Sequence, residues 1–272
     1  MDRDVLDQLR SLINRESGIY LPADKEQLLV NRLQKRLRAC GVKDEREYLK
    51  IVELDASGEE LTRLLDVVST NVTHFYREER HFSILTDILK DLEKKGQREI
   101  KMWSAACSSG EEPYSMAMVA RESLDSRRTA VRILATDISE RILQRALQRH
   151  YVPAQLTKLP PGLVKRYFNA ESGAGSDLRS VTDDIASLVT FKRFNLSKFP
   201  YSLKGQLDII FCRNVMIYFT LELRRLIIAE FQRLLRPGGY MFLSHSENLL
   251  GISHGFKALS TAVYQKPEGV RG

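Results

Sequence analysis

The sequence predicts an α/β protein in which an all-helical N-terminal domain precedes a doubly wound, mostly parallel sheet that carries a small inserted β subdomain. Three observations predict it. The first 70 or so residues place apolar side chains at helical spacing and contain no convincing strand. From about residue 100, short apolar runs alternate with amphipathic helices, and a polar stretch between 160 and 194 interrupts that rhythm. Strands that alternate with helices pair in parallel through crossovers, which is how a doubly wound sheet is built.

In the helical part, Leu6, Leu9, Leu12 and Ile13 recur at three- and four-residue spacing, as do Leu28, Leu29, Leu33 and Leu37. Gly18 and Gly41 are stops for these two helices. Further helices are predicted over 45–54 and 58–68, which makes 1–70 an all-α domain. Residues 71–98 form a linker and first helix leading into an α/β domain over 99–272. In that domain 100–105, 131–135, 207–212 and 240–243 read as strands. The helices between them are predicted over 113–124, 140–149 and 220–235, and a closing hairpin over 256–259 and 262–265. The insertion is placed at about 166–194. It contains a turn at Glu171-Ser172-Gly173-Ala174-Gly175-Ser176-Asp177 and a β-branched, apolar run at Leu188-Val189-Thr190-Phe191.

The 43% hydrophobic content is enough for a substantial core across 272 residues. No window approaches the roughly 18 consecutive apolar residues of a membrane span. The charged start, Met1-Asp2-Arg3-Asp4, lacks an apolar signal core, so a cytoplasmic protein without membrane insertion is expected. Cys40, Cys107 and Cys212 are too widely spaced for a zinc motif, and no metal is expected. Cys107 and Cys212 end apolar runs and read as buried thiols. A net charge of +7 favours an anionic partner, which nucleic acid, a membrane surface or an acidic protein would all satisfy.

The first predicted strand runs into Ser104-Ala105-Ala106-Cys107-Ser108-Ser109-Gly110-Glu111-Glu112-Pro113. In a doubly wound sheet this turn lies at the strand edge where ligands bind. A phosphate loop would carry several glycines and a Lys, whereas this one has a single Gly and two carboxylates. Glu111 and Glu112 would repel phosphate, and at least one of them suits a cationic ligand such as the ammonium and sulfonium of S-adenosylmethionine. The competing reading is that both merely complement the helix dipole. Asp137, at the end of the second strand, is placed to accept from ribose hydroxyls, because Ser139 can cap the next helix by itself. Asn195-Leu196 and Asn214-Val215 follow later apolar runs to the same sheet edge. Asn offers the donor and acceptor that an adenine edge or an amino acid requires, although it is also a common turn residue.

Four stretches carry a family resemblance: Asn71-Val72-Thr73-His74-Phe75-Tyr76-Arg77; Trp103-Ser104-Ala105-Ala106 with Gly110-Glu111-Glu112-Pro113-Tyr114-Ser115; Phe211-Cys212-Arg213-Asn214-Val215-Met216-Ile217-Tyr218-Phe219; and 238–248 with His245-Ser246-Glu247-Asn248. In this order they resemble the chemotaxis-receptor glutamate O-methyltransferases, across nearly the whole chain. The resemblance implies a Rossmann-like class I methyltransferase domain that binds S-adenosylmethionine and releases S-adenosylhomocysteine. It implies cofactor contacts at Asn71, Thr73, Arg77, Glu112, Asp137, Asn195, Leu196, Asn214 and Val215. Departures are Tyr76, where Phe is common, and Cys107, where Ala or Ser is usual.

The implied reaction is methyl transfer to a glutamate carboxylate, which is already ionised at neutral pH and needs no strong base. Arg77 is then expected to orient the acceptor and Tyr218 to position acceptor or donor. The bland alternatives are a surface ion pair of Arg77 with Glu78 or Glu79, and a packed Tyr218. The second helix, with Lys25, Arg32, Lys35, Arg36 and Arg38, is expected to dock the acidic methylation helices of a receptor through Arg32, Lys35 and Arg36. The β insertion is long enough to receive a receptor C-terminal peptide. An RNA or other nucleic-acid methyltransferase is the alternative, but Asn214-Val215-Met216-Ile217 lacks the prolines of an amino-group methylase motif, so no nucleic acid is expected.

Overall fold

The computed structural model describes residues 2–22, 26–171 and 177–269. Residues 172–176 of the turn expected at Glu171–Asp177, and Lys25, lie outside the described residues.

Helices α1 (Arg3–Ser17), α2 (Glu26–Cys40), α3 (Glu45–Leu54) and α4 (Glu59–Val68) surround a core that includes Leu6, Leu9, Ile13, Leu33, Tyr48 and Leu64. Local chemistry sets their ends. The Asp2 carboxylate accepts from Asp4 N, and Asp44 accepts from the amides of Arg46 and Glu47. Gly18 closes α1 at φ 75°, a region that non-glycine residues resist, and a Cβ there would stand 2.2 Å from Leu223 Cδ2. This glycine therefore both ends the helix and lets the helical unit approach the α/β sheet domain.

The basic face of α2 is only partly free. Arg36 turns inward, with Nη2 2.7 Å from Glu60 Oε2, while the Tyr48 hydroxyl donates to Glu60 Oε1 at 2.7 Å. Burial opposes ionisation of Glu60, but the Arg36 fork and the Tyr48 hydroxyl outweigh it and hold the carboxyl below its ordinary value. Arg32 donates to Val68 O and, at 2.9 Å, to Thr70 Oγ1. Of the three residues expected to meet a partner, Lys35 is exposed and the other two are half-buried. Spacing along a helix shows which residues share a side, but not which of them another helix will claim. Arg36→Glu is expected to destabilise the fold by about 3 kcal/mol, because it sets two carboxylates against each other at a buried pair. Lys35→Glu should leave the urea midpoint unchanged. Equal stability of the two variants would count against the inward role of Arg36.

Beyond the linker come α5 (Glu79–Lys94), β1 (Glu99–Ala105), α6 (Glu111–Ser123), β2 (Ala130–Asp137), α7 (Glu140–Gln148), β3 (His150–Tyr151), α8 (Pro153–Leu156), α9 (Pro161–Tyr167), β4 (Phe168–Ala170), β5 (Arg179–Val181), α10 (Asp183–Ala186), β6 (Val189–Arg193), β7 (Leu207–Cys212), α11 (Leu221–Leu234), β8 (Leu235–Phe242), β9 (Lys257–Ser260) and β10 (Val263–Gln265). A seven-stranded sheet has the order β6-β2-β1-β7-β8-β10-β9, parallel except where β10 pairs with β8 and β9. The chain runs from β1 outward through β2 to β6, then crosses to β7 on the other side of β1. The β1/β7 boundary is therefore the topological switch point, where such sheets bind ligands. Among the described residues no helix is long and apolar enough to cross a membrane.

Two local expectations are corrected. Pro113 is the third residue of α6, which begins at Glu111 behind a left-handed Gly110, and not its first. Proline is tolerated there because the first-turn amides have no helical partner to lose. The run at 188–191, expected in the insertion at 166–194, supplies β6 at the edge of the main sheet. The small sheet has the order β3-β5-β4 and draws its first strand from His150–Tyr151, upstream of that range. Val189 and Phe191 pack against Cys107, Ala135 and Leu143, so the main sheet captures the run by burying its apolar side. Cys107 and Cys212 are buried free thiols.

Candidate active site

The segment after β1 is tightly coiled, with Ala106 (φ 67°), Ser108 (φ 50°) and Gly110 (φ 97°) all left-handed. At Gly110 a Cβ would come within 3.0 Å of Ala146 Cβ and the Tyr151 hydroxyl, so only glycine fits. Ser108 N donates to Asp137 Oδ2 at 2.9 Å, and Ser139 N to Asp137 Oδ1 at 3.0 Å. Ser139 itself caps α7 by accepting from Ile142 N. Each Asp137 oxygen keeps a second lone pair, so the carboxylate can still accept from a ligand. Burial pushes its carboxyl above the ordinary value, against the pull of the Ser139 and Ser108 amides.

Above this loop lies a cavity with about 930 Å³ of empty space, partly open to solvent. All ten residues singled out from the sequence line it: Asn71, Thr73 and Arg77 from the linker, Glu112 from α6, Asp137 from β2, Asn195 and Leu196 after β6, and Asn214, Val215 and Tyr218 after β7. They meet because the strands carrying them end at one sheet edge. The linker closes over that edge by bonding Asn71 O to the Ser108 hydroxyl.

The two glutamates of α6 diverge. Glu112 lines the cavity, with Oε1 accepting from the Ser104 hydroxyl at 2.7 Å and Oε2 3.2 Å from Arg213 Nη1. Glu111 does not line it; its carboxylate accepts from Ser109 Oγ at 2.6 Å. Burial pushes the Glu112 carboxyl up, and Arg213 and Ser104 oppose that shift. Arg77 donates to Val72 O at 2.7 Å and is drawn along its own loop. Glu78, one of the two surface partners of Arg77 in the competing reading, instead pairs with Arg213. Asn195 is also committed: its amide donates to Glu16 O at 2.6 Å, and its oxygen accepts from Ser197 N and Oγ.

Three contributors escaped sequence reasoning. Arg213 is 5% exposed, bridges Glu112 and Glu78, and donates to Arg77 O. A charged residue directly after the apolar run of β7 was the available signal. Glu247 is equally hidden. Its Oε1 accepts from Val215 N and Met216 N at 2.9 and 2.8 Å, and its Oε2 accepts from Asn214 N and Ser244 N at 3.0 and 2.8 Å. One carboxylate thereby holds the left-handed Asn214 and the start of the 3-10 turn Met216–Tyr218. The third contributor is the helical domain, whose Ser17, Ile19, Ser69 and Thr70 line the cavity. Tyr20 N donates to Tyr218 O at 2.8 Å, which docks that domain beside the 3-10 turn. No spacing rule announces a contact between residues 20 and 218.

The cavity joins two desolvated carboxylates to apolar walls at Ile19, Phe194, Leu196 and Phe219, at the switch point of a doubly wound sheet. Those features suit a cationic nucleoside ligand and define the class of S-adenosylmethionine-dependent methyltransferases. Residues 71–265 match the CheR methyltransferase, SAM binding domain, and residues 4–69 match the CheR methyltransferase, all-alpha domain. The chain is 37% identical to chemotaxis protein methyltransferase 2 of Pseudomonas aeruginosa over 262 residues, covering 96% of this chain and 92% of that one. It is 35% identical to the chemotaxis protein methyltransferase of Escherichia coli, covering 94% and 88%, and 37% identical to that of Borreliella burgdorferi, covering 97% and 94%. The chain belongs to the CheR methyltransferase family. Its cofactor is S-adenosylmethionine, and the nucleic-acid alternative finds no support among these relatives.

Proposed function

We propose that this cytoplasmic enzyme transfers a methyl group from S-adenosylmethionine to glutamate side chains on the cytoplasmic helices of chemotaxis receptors. The observation that carries the reading is the cavity itself, which brings Glu112 and Asp137 together with Arg77 and Tyr218. Bound there, S-adenosylmethionine supplies an electrophilic methyl on a sulfonium. Glu112 holds the ammonium of its amino-acid end, and Asp137 accepts from the ribose hydroxyls. Leu196 and the backbone of Asn195 face the adenine, since the Asn195 amide is already bonded elsewhere. Asn214, Val215, Asn71 and Thr73 complete the cradle.

The acceptor carboxylate arrives ionised, so the protein needs to orient it and exclude water. Arg77 swings from Val72 O to the acceptor with charge-assisted hydrogen bonds. Tyr218, fixed by the Glu247 clamp and by Tyr20, sets the line of approach. Arg77→Ala is expected to lower kcat/KM for receptor methylation about a hundredfold, the scale of lost positioning. Tyr218→Phe is expected to lower kcat while the fold is kept. The assay follows base-labile label transferred from S-adenosylmethionine to receptor; full rates in both variants would reject these roles.

Receptor helices dock on the exposed cations of α2, chiefly Lys35, with Arg32 flanking the cavity through Thr70. Lys35→Glu should raise the receptor KM in a manner that salt diminishes, without altering S-adenosylmethionine affinity. A receptor C-terminal peptide would add as a strand alongside β4, at the edge of the small sheet.

A further inference from the structure

Next to the cavity, and apart from its lining, lies a cluster that the methyl-transfer reading leaves unused. His81, in the first turn of α5, is fully buried, and among the described residues its ring nitrogens make no hydrogen bond of full geometry, with the Thr261 backbone and Glu78 as their polar neighbours. A buried imidazole so weakly paired is costly and calls for an explanation. Its Nδ1 stands 3.3 Å from Glu78 Oε2, and its ring meets His245 edge-on at 4.8 Å between centroids. His245, in the loop after β8, brings Nε2 to 4.0 Å from the same Glu78 oxygen. The three ligand atoms lie within 4.8 Å of one another.

We propose that Glu78, His81 and His245 form a binding site for a late first-row divalent cation of the Zn²⁺ type. Two imidazoles and one carboxylate are a donor set that such ions favour, and they leave a fourth position for water. Tetrahedral coordination at about 2.1 Å places ligand atoms about 3.4 Å apart. The His81–Glu78 pair already meets that spacing. The adjustment falls on His245, whose side chain is 45% exposed and free to close in. Glu78 precedes α5 in a left-handed backbone conformation and His81 lies in its first turn, and Phe242 covers the His81 ring on another side.

One charge opposes the ion. Arg213 Nη2 lies 3.2 Å from Glu78 Oε2, so a cation must displace it from that oxygen. The guanidinium keeps Glu112 as a partner through Nη1, which limits the cost of the exchange. The site is therefore reversible and not a structural centre. Because Arg213 spans both carboxylates, occupancy by a cation is coupled to the cofactor cavity.

Metal binding by the purified chain tests this without reference to catalysis. Zn²⁺ titration by calorimetry should give one equivalent, and Co²⁺ should show the visible absorption of a low-coordinate site. His245→Ala changes a partly exposed residue outside the cavity lining, and it should weaken binding at least about tenfold and abolish the Co²⁺ band. His254→Ala, elsewhere on the surface, should change neither. Absence of binding by the wild type, or binding that survives His245→Ala or is lost in His254→Ala, overturns the proposal.

Discussion

Glu112→Gln is expected to weaken S-adenosylmethionine binding roughly ten- to a hundred-and-fiftyfold, the value of one charge-assisted hydrogen bond. The same change should leave the ligand-free protein as stable as before or slightly more so. Burial raises the folded-state pKa of Glu112, so ionising it in the fold costs free energy at neutral pH. That cost disappears as pH falls through the raised value toward the ordinary 4.5, and it is absent altogether in the amide variant. Arg213 still has Glu78 as a partner after the substitution. Affinity runs the other way with pH. The ammonium needs the ionised carboxylate, so wild-type affinity should fall on acidification through the raised pKa, while the variant stays flat in that window. Calorimetric titrations with S-adenosylmethionine across pH, paired with urea melts, measure both. Wild-type affinity in the variant would move the ammonium away from Glu112.

Glu247→Gln should cost about 3–6 kcal/mol of stability, because an amide keeps one acceptor oxygen and turns its NH₂ toward two backbone donors. Hydrogen bonds to a charged acceptor are worth about 1.5–3 kcal/mol each, and two of the four are lost. The loss is local as well as global. Asn214, Val215 and Met216 all bond this carboxylate, and Tyr218 ends the 3-10 turn that Met216 begins, so kcat and cofactor affinity should fall together. Glu247→Asp keeps the charge on a shorter stem and should lie between. A shifted urea midpoint with an unchanged m-value, read beside methylation kinetics, checks the effect. A Gln variant with wild-type stability and rate would show that the clamp carries no weight.

Much of the architecture was legible because it rests on local rules. Helical spacing marked the α domain, apolar runs marked β1, β2 and β7, and two acidic residues after β1 pointed to a cationic ligand. The family motifs named ten residues that line one cavity. Where reading failed, a distant partner decided. The run at 188–191 has the composition of any half-buried strand, and only the apolar surface around Cys107 and Leu143 assigns it to the main sheet. Arg36 has the spacing of a surface cation, yet Glu60 and Tyr48 draw it inward.

The sequence by itself determined the order of elements, the acidic first loop and the residues that reach the sheet edge, since helix spacing, strand ends and motif chemistry are properties of neighbours along the chain. Tertiary structure alone decided which glutamate of α6 faces the cavity. It also decided that Arg213 ties that glutamate to the linker, that one carboxylate at 247 holds the loop after β7, and that the helical domain closes the site. Each of those outcomes depends on desolvated charges finding partners tens to hundreds of residues away, and only the folded chain brings them within hydrogen-bond reach.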